Sequence, residues 1–318
     1  MTTTFIRGVD NFELKGNNGT VVTVGTFDGI HLGHQEIFRR VRVESEKTGR
    51  DAVLVTFHPH PKVVVNPDDI PMLLTTIEEK EKFVPNFFDG RVLVLDFNEK
   101  LKNMTAERFV KDILIEKIHT KKLIVGYDHA FGKDRSGNID ALRKLGGEYG
   151  FEVEVVEPII IDGEPVSSTR IRKAMLRNRY PEAIKLLGHE YAIYGKVERG
   201  IGLGKKIGYP TANIKISGRK LLPPEGVYAC WIQVDKEEKN GMMFIGQNHF
   251  NPLARLSIEI NLFDFDRDIY NDDIIVFPTQ FIRENKRFES TDELVAQLEK
   301  DKNNIVGIIN KGEKDANE

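Results

Sequence analysis

Two histidines three residues apart, His31 and His34, follow a β-branched run in "VVTVGTFDGIHLGHQEIF" (21–38). The run reads as a strand ending at Gly25, with a helix beginning between Ile30 and Gly33. The first turn of a helix directs unbonded N–H groups and the positive end of its dipole outward, so anions gather there. Residues three apart share one side of a turn, so both imidazoles can face that anion, and Gly33 between them leaves the approach open. Such a pair can stabilise charge growing on an α-phosphate during in-line attack, with no side-chain nucleophile. The plainer alternative is that the two rings cap the helix or fill the core. A dinucleotide fold is disfavoured, because "GTFDGIHLGH" lacks G-x-G-x-x-G.

Further groups could serve phosphate or an aromatic ligand. In "VSSTRIR" (166–172), Ser167, Ser168 and Thr169 are N-cap candidates, and Arg172 could reach from the first turn toward a triphosphate. An ordinary capped helix with a solvated arginine is the alternative. In "FHPHP" (57–61) two prolines stiffen a loop and Phe57 could stack on a flat ring. His58 and His60, with His31 and His34, raise the question of a metal, but there is no H-E-x-x-H and no partner cysteine. Asp128, in "GYDHAFGKDRSGN" (126–138), ends a strand where ligands of open α/β sheets collect.

"GKVERGIGLGKKIGYPTANI" (195–214) superficially resembles a P-loop. It fails the pattern, since Gly200 and Gly204 have three residues between them where four are needed and Lys206 replaces the Ser or Thr. A mobile basic flap remains, whose Gly202 and Gly204 N–H groups and Lys205 or Lys206 could close over phosphates. Thr211 and Asn213, two apart on an extended segment, face one side and offer hard oxygens to nucleotide-borne Mg²⁺. Glu259 in "LSIEINLF" points away from Ile258 and Ile260. It is either a solvated strand charge or a base for a primary alcohol attacking a γ-phosphate.

The elements that must hold these groups fall into two textures. From Val21 to about Val156, short β-branched runs alternate with helical patterns, which predicts an α/β doubly wound parallel sheet. Two short helical patterns follow, the second opened by Pro181 and closed by Gly188, placing the domain boundary near Gly188: 1–187 and 188–318. Beyond it, strand-like pieces separated by Gly, Pro, Asn and Asp predict an antiparallel β-barrel or sandwich. A C-terminal helix is announced by Ser290 and Glu293 at capping-box spacing and by Leu294, Val295 and Leu298, and the tail "KGEKDANE" reads as disordered.

Composition agrees with small-molecule chemistry in two domains. The 318 residues exceed what one core usually organises, and 46 basic against 49 acidic residues (net −3) advertise neither nucleic acid nor membrane as partner. The single Cys230 forbids an internal disulfide and suits a buried thiol in a reducing cytoplasm. The N-terminus has no signal-peptide pattern, and no apolar run approaches the ~20 residues that span a bilayer. Oligomeric state is not legible.

"GTFDGIHLGH" resembles the G-x-F-D-x-x-H-x-G-H signature of nucleotidyltransferases, whose histidine motif works on the α-phosphate of ATP or CTP. With "FHPHP", "GYDHAFGKDRSGN" and "VSSTRIR" in that order, the chain resembles the bacterial bifunctional riboflavin kinase and FAD synthetase family over nearly its whole length. The resemblance implies an N-terminal nucleotidyltransferase domain that adenylylates FMN and a C-terminal riboflavin kinase barrel, both using ATP and Mg²⁺ on flavin substrates (riboflavin, FMN, FAD). It implies catalytic roles for His31, His34, Arg172 and Glu259, and phosphate contacts at Gly25, Phe27, Asp28, Gly33, Ser167, Ser168, Thr169, Gly202, Gly204, Lys205 and Lys206. Flavin contacts are implied at Phe57, Pro59, His60, Asp128, Arg283 and Phe288, and metal and phosphate contacts at Thr211 and Asn213. The chain departs from the pattern at "GQNHFNP" (246–252), at Asn271, where a glycine is usual, and at Asn285, where a glutamate is expected and Glu284 stands one position early. Two rivals remain: a nucleotidyltransferase making another conjugate, and a flavin-binding regulatory protein with a decayed kinase half.

Overall fold

The β-branched runs become strands of one sheet because both of its faces are covered. A computed structural model describes residues 3–14, 16–129, 131–133, 137–200, 202–246 and 256–315, with backbone alone at 203 and 311–315. Its first sheet contains β1 (Thr4–Arg7), β2 (Thr20–Val24), β3 (Asp51–His58), β4 (Arg91–Asp96), β5 (Thr120–Gly126) and β6 (Glu152–Val156). They lie in the order β1-β4-β3-β2-β5-β6, every neighbouring pair parallel. Val22, Val24, Val53 and Val55 enter one buried cluster, while Val21, Leu54, Val92 and Ile124 enter the other. Alternate side chains thus fill both layers, which is why these strands are apolar throughout instead of alternating with polar residues. The edge strand β1 has no apolar run to announce it.

The chain leaves β2 toward β3 and β4 on one side, then returns to β5 and β6 on the other. Beside β2 and β5 the order reverses, and the crevice beyond the carboxyl ends of such strands is where open α/β sheets bind ligands. The segments after β2 (Gly25–His31) and after β5 (Tyr127 and Asp128) therefore meet at one place. A short hairpin, β7 (Ile160–Ile161) with β8 (Glu164–Pro165), follows β6.

The second sheet closes. β9 (Ile193–Glu198), β10 (Ala212–Lys215), β11 (Gly226–Val234), β12 (Glu237–Gly246), β13 (Ser257–Leu262) and β14 (Asp273–Arg283) form a barrel in the order β10-β13-β12-β11-β14-β9, all pairs antiparallel. Closure leaves no free sheet edge. Cys230 is a buried thiol on β11, and burial pushes its pKa well up. Asn271 adopts the left-handed conformation (φ 69°), as a residue standing for glycine must.

The last helix spans Thr291–Asp315, with Ser290 Oγ accepting the Glu293 N–H at 3.2 Å. Residues 311–315 are therefore helical where the sequence reading has a disordered tail; 316–318 lie outside the described residues. Ile305 is fully buried and Ile309 packs on the barrel cluster of Val227, Ala229, Met242 and Phe263, so tertiary contact carries the helix past its first apolar stripe.

The chain divides into two units, 1–170 with Leu186–Gly188, and Ile171–Lys185 with 189–318. The segment Ile171–Lys185, placed in the first domain by the sequence reading, clusters with the barrel unit. There Tyr228 Oη donates to Asn178 Oδ1 at 3.2 Å and the Tyr180 and Tyr228 rings lie 6.1 Å apart.

Candidate active sites

The Leu32–Thr48 helix opens after β2 with His31 as its N-cap residue, whose side chain makes no cap bond. The imidazoles of His31 and His34 stack, centroids 3.6 Å and planes 20° apart, and Phe27 stands edge-on to His34 at 5.3 Å. Both motif glycines make room for these rings: a Cβ on Gly25 would lie 2.9 Å from the Phe27 ring, and one on Gly33 3.3 Å from the His31 ring. Gly33 thus accommodates His31 itself, beside any effect on a ligand. Burial, then the neighbouring His31 and Lys80, hold the His34 pKa well below the usual imidazole value. The ring is neutral at pH 7 and offers an N–H dipole instead of a full charge.

The turn before the helix is strained, since Phe27 (φ 47°) and Ile30 (φ 45°) occupy the left-handed region at about 1–3 kcal/mol each. It is gripped from several sides. Gly29 N–H donates to Thr75 Oγ1 (3.0 Å), Ser168 Oγ donates to Asp28 O (2.8 Å), and Lys80 Nζ donates to Thr26 O. Asp28 is 2% exposed and accepts the Thr75 N–H at 2.8 Å, so its carboxylate braces the turn and does not line the cleft. A carboxylate facing phosphate would repel it. Phe27, 3% exposed, supports His34 from the core.

In front of the histidines lies a cleft of about 950 Å³, at the upper end of ordinary ligand sites and roomy enough for two small molecules. His31, Gly33, His34, Phe57, His60, Asp128, Ser167 and Ser168 line it. Ser167 is the serine that caps the Ser168–Leu176 helix, its Oγ accepting the Arg170 N–H at 3.3 Å. Thr169 does not line the cleft; Arg172, farther along the same helix, falls in the second unit. Pro59 does not line it either, and Pro61 takes that place. His60 Nδ1 accepts the Lys62 N–H at 3.2 Å, capping the Pro61–Val65 helix. Among the described residues no group of three or more His, Cys, Asp or Glu is arranged to hold a metal.

The aromatic wall extends beyond Phe57. Phe97 meets it at 5.6 Å, Phe109 packs on Phe131 at 5.0 Å, and both Phe109 and Phe131 line the cleft with Met104. These were missed in sequence because an isolated phenylalanine has no distinguishing spacing. Phe97 carried one usable signal, its position directly after β4 at the edge where ligands collect.

The barrel holds a second, smaller pocket of about 220 Å³. Register decides its chemistry: Asn213 on β10 pairs directly with Glu259 on β13, and Thr211 Oγ1 donates to Glu259 Oε2 at 3.2 Å. All three line the pocket. Burial raises the Glu259 pKa, and the Thr211 hydrogen bond partly opposes that, so the solvated-charge alternative does not hold. Of the glycine segment, Gly202 and Gly204 line the pocket, while Lys205 and Lys206 are exposed on a one-turn helix (Leu203–Lys206) and do not. That turn stands in the segment expected as a mobile basic flap. A Cβ on Gly200 would fall 2.0 Å from Asn213 Nδ2, so Gly200 is required for the Asn213 side chain to sit where it does. The lysine at this pocket is Lys286.

Arg283 and Phe288 also line the pocket, the ring centroid 6.0 Å from the guanidinium carbon. Asp301 on the last helix holds Arg283 through both oxygens (Nε at 3.0 and 2.8 Å, with a further nitrogen at 2.7 Å). The Asp301 side chain is buried (4% exposed) and that of Arg283 largely so (14%). Asp301→Ala should destabilise the barrel unit by about 1–3 kcal/mol, read as a lower urea midpoint, because it leaves a largely buried guanidinium without its carboxylate. Asn285 bonds Ile245 O (3.1 Å) and Glu225 Oε2 (3.3 Å) and does not line the pocket. Its departure from the expected glutamate leaves Thr211, Asn213 and Glu259 in place. The departure at 247–252 lies outside the described residues.

Residues 13–170 match the family described as FAD synthetase, and residues 187–309 that described as riboflavin kinase. A Buchnera aphidicola (subsp. Schizaphis graminum) protein named bifunctional riboflavin kinase/FMN adenylyltransferase is 37% identical, covering 93% of this chain and 96% of its own. The Escherichia coli K12 protein of the same name is 34% identical over 93% and 95%. A Streptococcus pneumoniae crystal structure described as a macrolide-efflux protein is 31% identical, with a TM-score of 0.82 over 95% of this chain and 98% of that one. Among the described residues no helix is long and apolar enough to cross a membrane.

Proposed function

The chain belongs to the bifunctional riboflavin kinase/FMN adenylyltransferase family, enzymes that phosphorylate riboflavin to FMN and adenylylate FMN to FAD, and from that premise we propose which residues run each reaction. His31 and His34 serve adenylyl transfer; Glu259, Thr211 and Asn213 serve phosphorylation. The observation that carries this division is that the two constellations line two separate pockets, each built within its own unit.

At the histidine site, a phosphate oxygen of FMN attacks the α-phosphorus of ATP and pyrophosphate leaves. The attacking oxygen is already anionic, so no base is needed. The neutral His34 ring, the His31 side chain and the helix N–H groups stabilise the charge that builds on the α-phosphate. Ser167 and Ser168 stand at a second helix start on the same cleft, suited to the departing phosphates. The aromatic wall of Phe57, Phe97, Phe109 and Phe131 suits the flavin ring.

In the barrel, the primary hydroxyl of riboflavin attacks the γ-phosphorus, Glu259 accepts its proton and ADP leaves. The raised pKa of Glu259 makes it a better base than an exposed carboxylate. Thr211 and Asn213 provide hard oxygens of the kind Mg²⁺ prefers, and would hold a nucleotide-borne ion that neutralises phosphate charge. Cytoplasmic operation fits a single, buried cysteine.

Two incubations test the assignment as a whole: riboflavin with ATP and Mg²⁺, and FMN with ATP and Mg²⁺, flavins resolved by chromatography. The expected products are FMN and FAD from the first and FAD from the second. FAD from the second alone would mean that the barrel site is inactive despite its intact trio. A decayed kinase half is not favoured, because the riboflavin kinase match spans the barrel and its last helix.

A further inference from the structure

We propose that Lys80, together with Thr75, is a positioning residue for adenylyl transfer, gripping from outside the cleft the turn that carries His31 and His34. The inference rests on assigning that reaction to the histidine pair. Lys80 lies in the Ile77–Phe83 helix, is 6% exposed, does not line the cleft, and donates through Nζ to Thr26 O at 2.5 Å. The start of its helix is set by a capping box, Glu79 N–H to Thr76 Oγ1 (3.3 Å) and Thr76 N–H to Glu79 Oε2 (2.9 Å). One residue earlier, Thr75 holds the same turn twice, accepting from Gly29 N–H (3.0 Å) and donating its own N–H to Asp28 Oδ1 (2.8 Å).

One short segment therefore fixes Thr26, Asp28 and Gly29. The residue enclosed by these bonds is Phe27, held at φ 47° with its ring edge-on to His34. Any relaxation of the turn would swing the ring against which His34 packs. A buried ammonium is a poor means of filling space, since an apolar side chain would do so without losing hydration. The Lys80 ammonium against a strained turn points to a need for the bond to the Thr26 carbonyl. Burial lowers the Lys80 pKa while Asp28 opposes that, and the lysine in turn disfavours protonation of His34.

The test uses the full chain and assays both reactions in each preparation of Lys80→Met, Lys80→Arg and Thr75→Val. In Lys80→Met the kcat for FAD formation should fall about 10²-fold, the loss expected when a catalytic group is misplaced by about 1 Å, with KM for ATP little changed and riboflavin phosphorylation intact. Lys80→Arg should recover part of the lost kcat, and Thr75→Val should lose kcat in the same direction by less. Parental kcat in both Lys80→Met and Thr75→Val overturns the proposal, as does a rise in KM with kcat intact. Loss of both reactions in Lys80→Met with parental kcat in Thr75→Val also overturns it, because the lysine is then merely structural. His34→Ala separates the premise: if it still makes FAD at the parental rate, the assignment to the histidine pair fails. If only His34→Ala loses activity, the brace alone fails.

Discussion

His31→Ala should lower the kcat for FAD formation from FMN and ATP by about 10²–10³-fold, the usual effect of removing one donor to a developing oxyanion, while phosphorylation of riboflavin is unchanged. The loss should fall mainly in kcat, because the ring acts more on the negative charge that increases on the α-phosphate in the transition state than on the charge already present in bound ATP. The side chain makes no cap bond, so its removal does not unmake the start of the Leu32–Thr48 helix. Flavin chromatography of both reactions in one preparation checks the outcome. Parallel loss of the two activities in a folded variant would refute the division of labour. Acid pH gives a second reading: because the His34 pKa is lowered, the ring stays neutral as pH falls through the ordinary imidazole range. His34 should therefore contribute no rise in the FAD-forming rate across that range of the kind a cationic ring would produce.

Glu259→Gln should nearly abolish FMN formation, by about 10²–10⁴-fold, and leave FAD formation from supplied FMN at the parental level. Glutamine keeps the shape and an oxygen to accept the Thr211 hydroxyl, so the change removes the base and little else. In the parent the kinase rate should fall toward acid at a higher pH than an exposed glutamate would give, since the base must be ionised and burial raises its pKa. The sign for stability follows from the same shift. A folded pKa above the unfolded one favours the fold below the unfolded value, and that contribution is lost as pH rises through the folded value. The glutamine variant should therefore gain on the parent in thermal stability as pH rises through that range. A kinase rate untouched by Glu259→Gln would remove the proposed base.

Much of the first site was legible because its chemistry is local. His31 and His34 are brought together by three residues of helix, and spacing offered Ser167 as one of three candidates to cap the helix that starts beside the cleft. Asp28 shows where spacing stops: its neighbours in sequence face the cleft, but its carboxylate accepts the N–H of Thr75, 47 residues away, which spacing does not reveal. Arg172 was placed correctly on its helix. The lysines of the glycine segment were expected at phosphate, and a single turn of helix carries them to the surface.

The order of β-branched runs and helical patterns determined by itself that the first half would be a doubly wound sheet with its histidine motif at a helix entrance, because strand and helix periods and the end of a helix are set by neighbouring residues. Tertiary structure alone decided what surrounds those groups. Strand order put the end of β5 beside the end of β2, barrel register put Asn213 opposite Glu259, and packing put Lys80, Phe97 and Asp301 behind or beside the reactive side chains. The physical reason is one of range: hydrogen-bond periodicity acts over a few residues and is written in spacing. Burial and charge pairing act between residues tens of positions apart, and they take effect only when the chain has closed on itself.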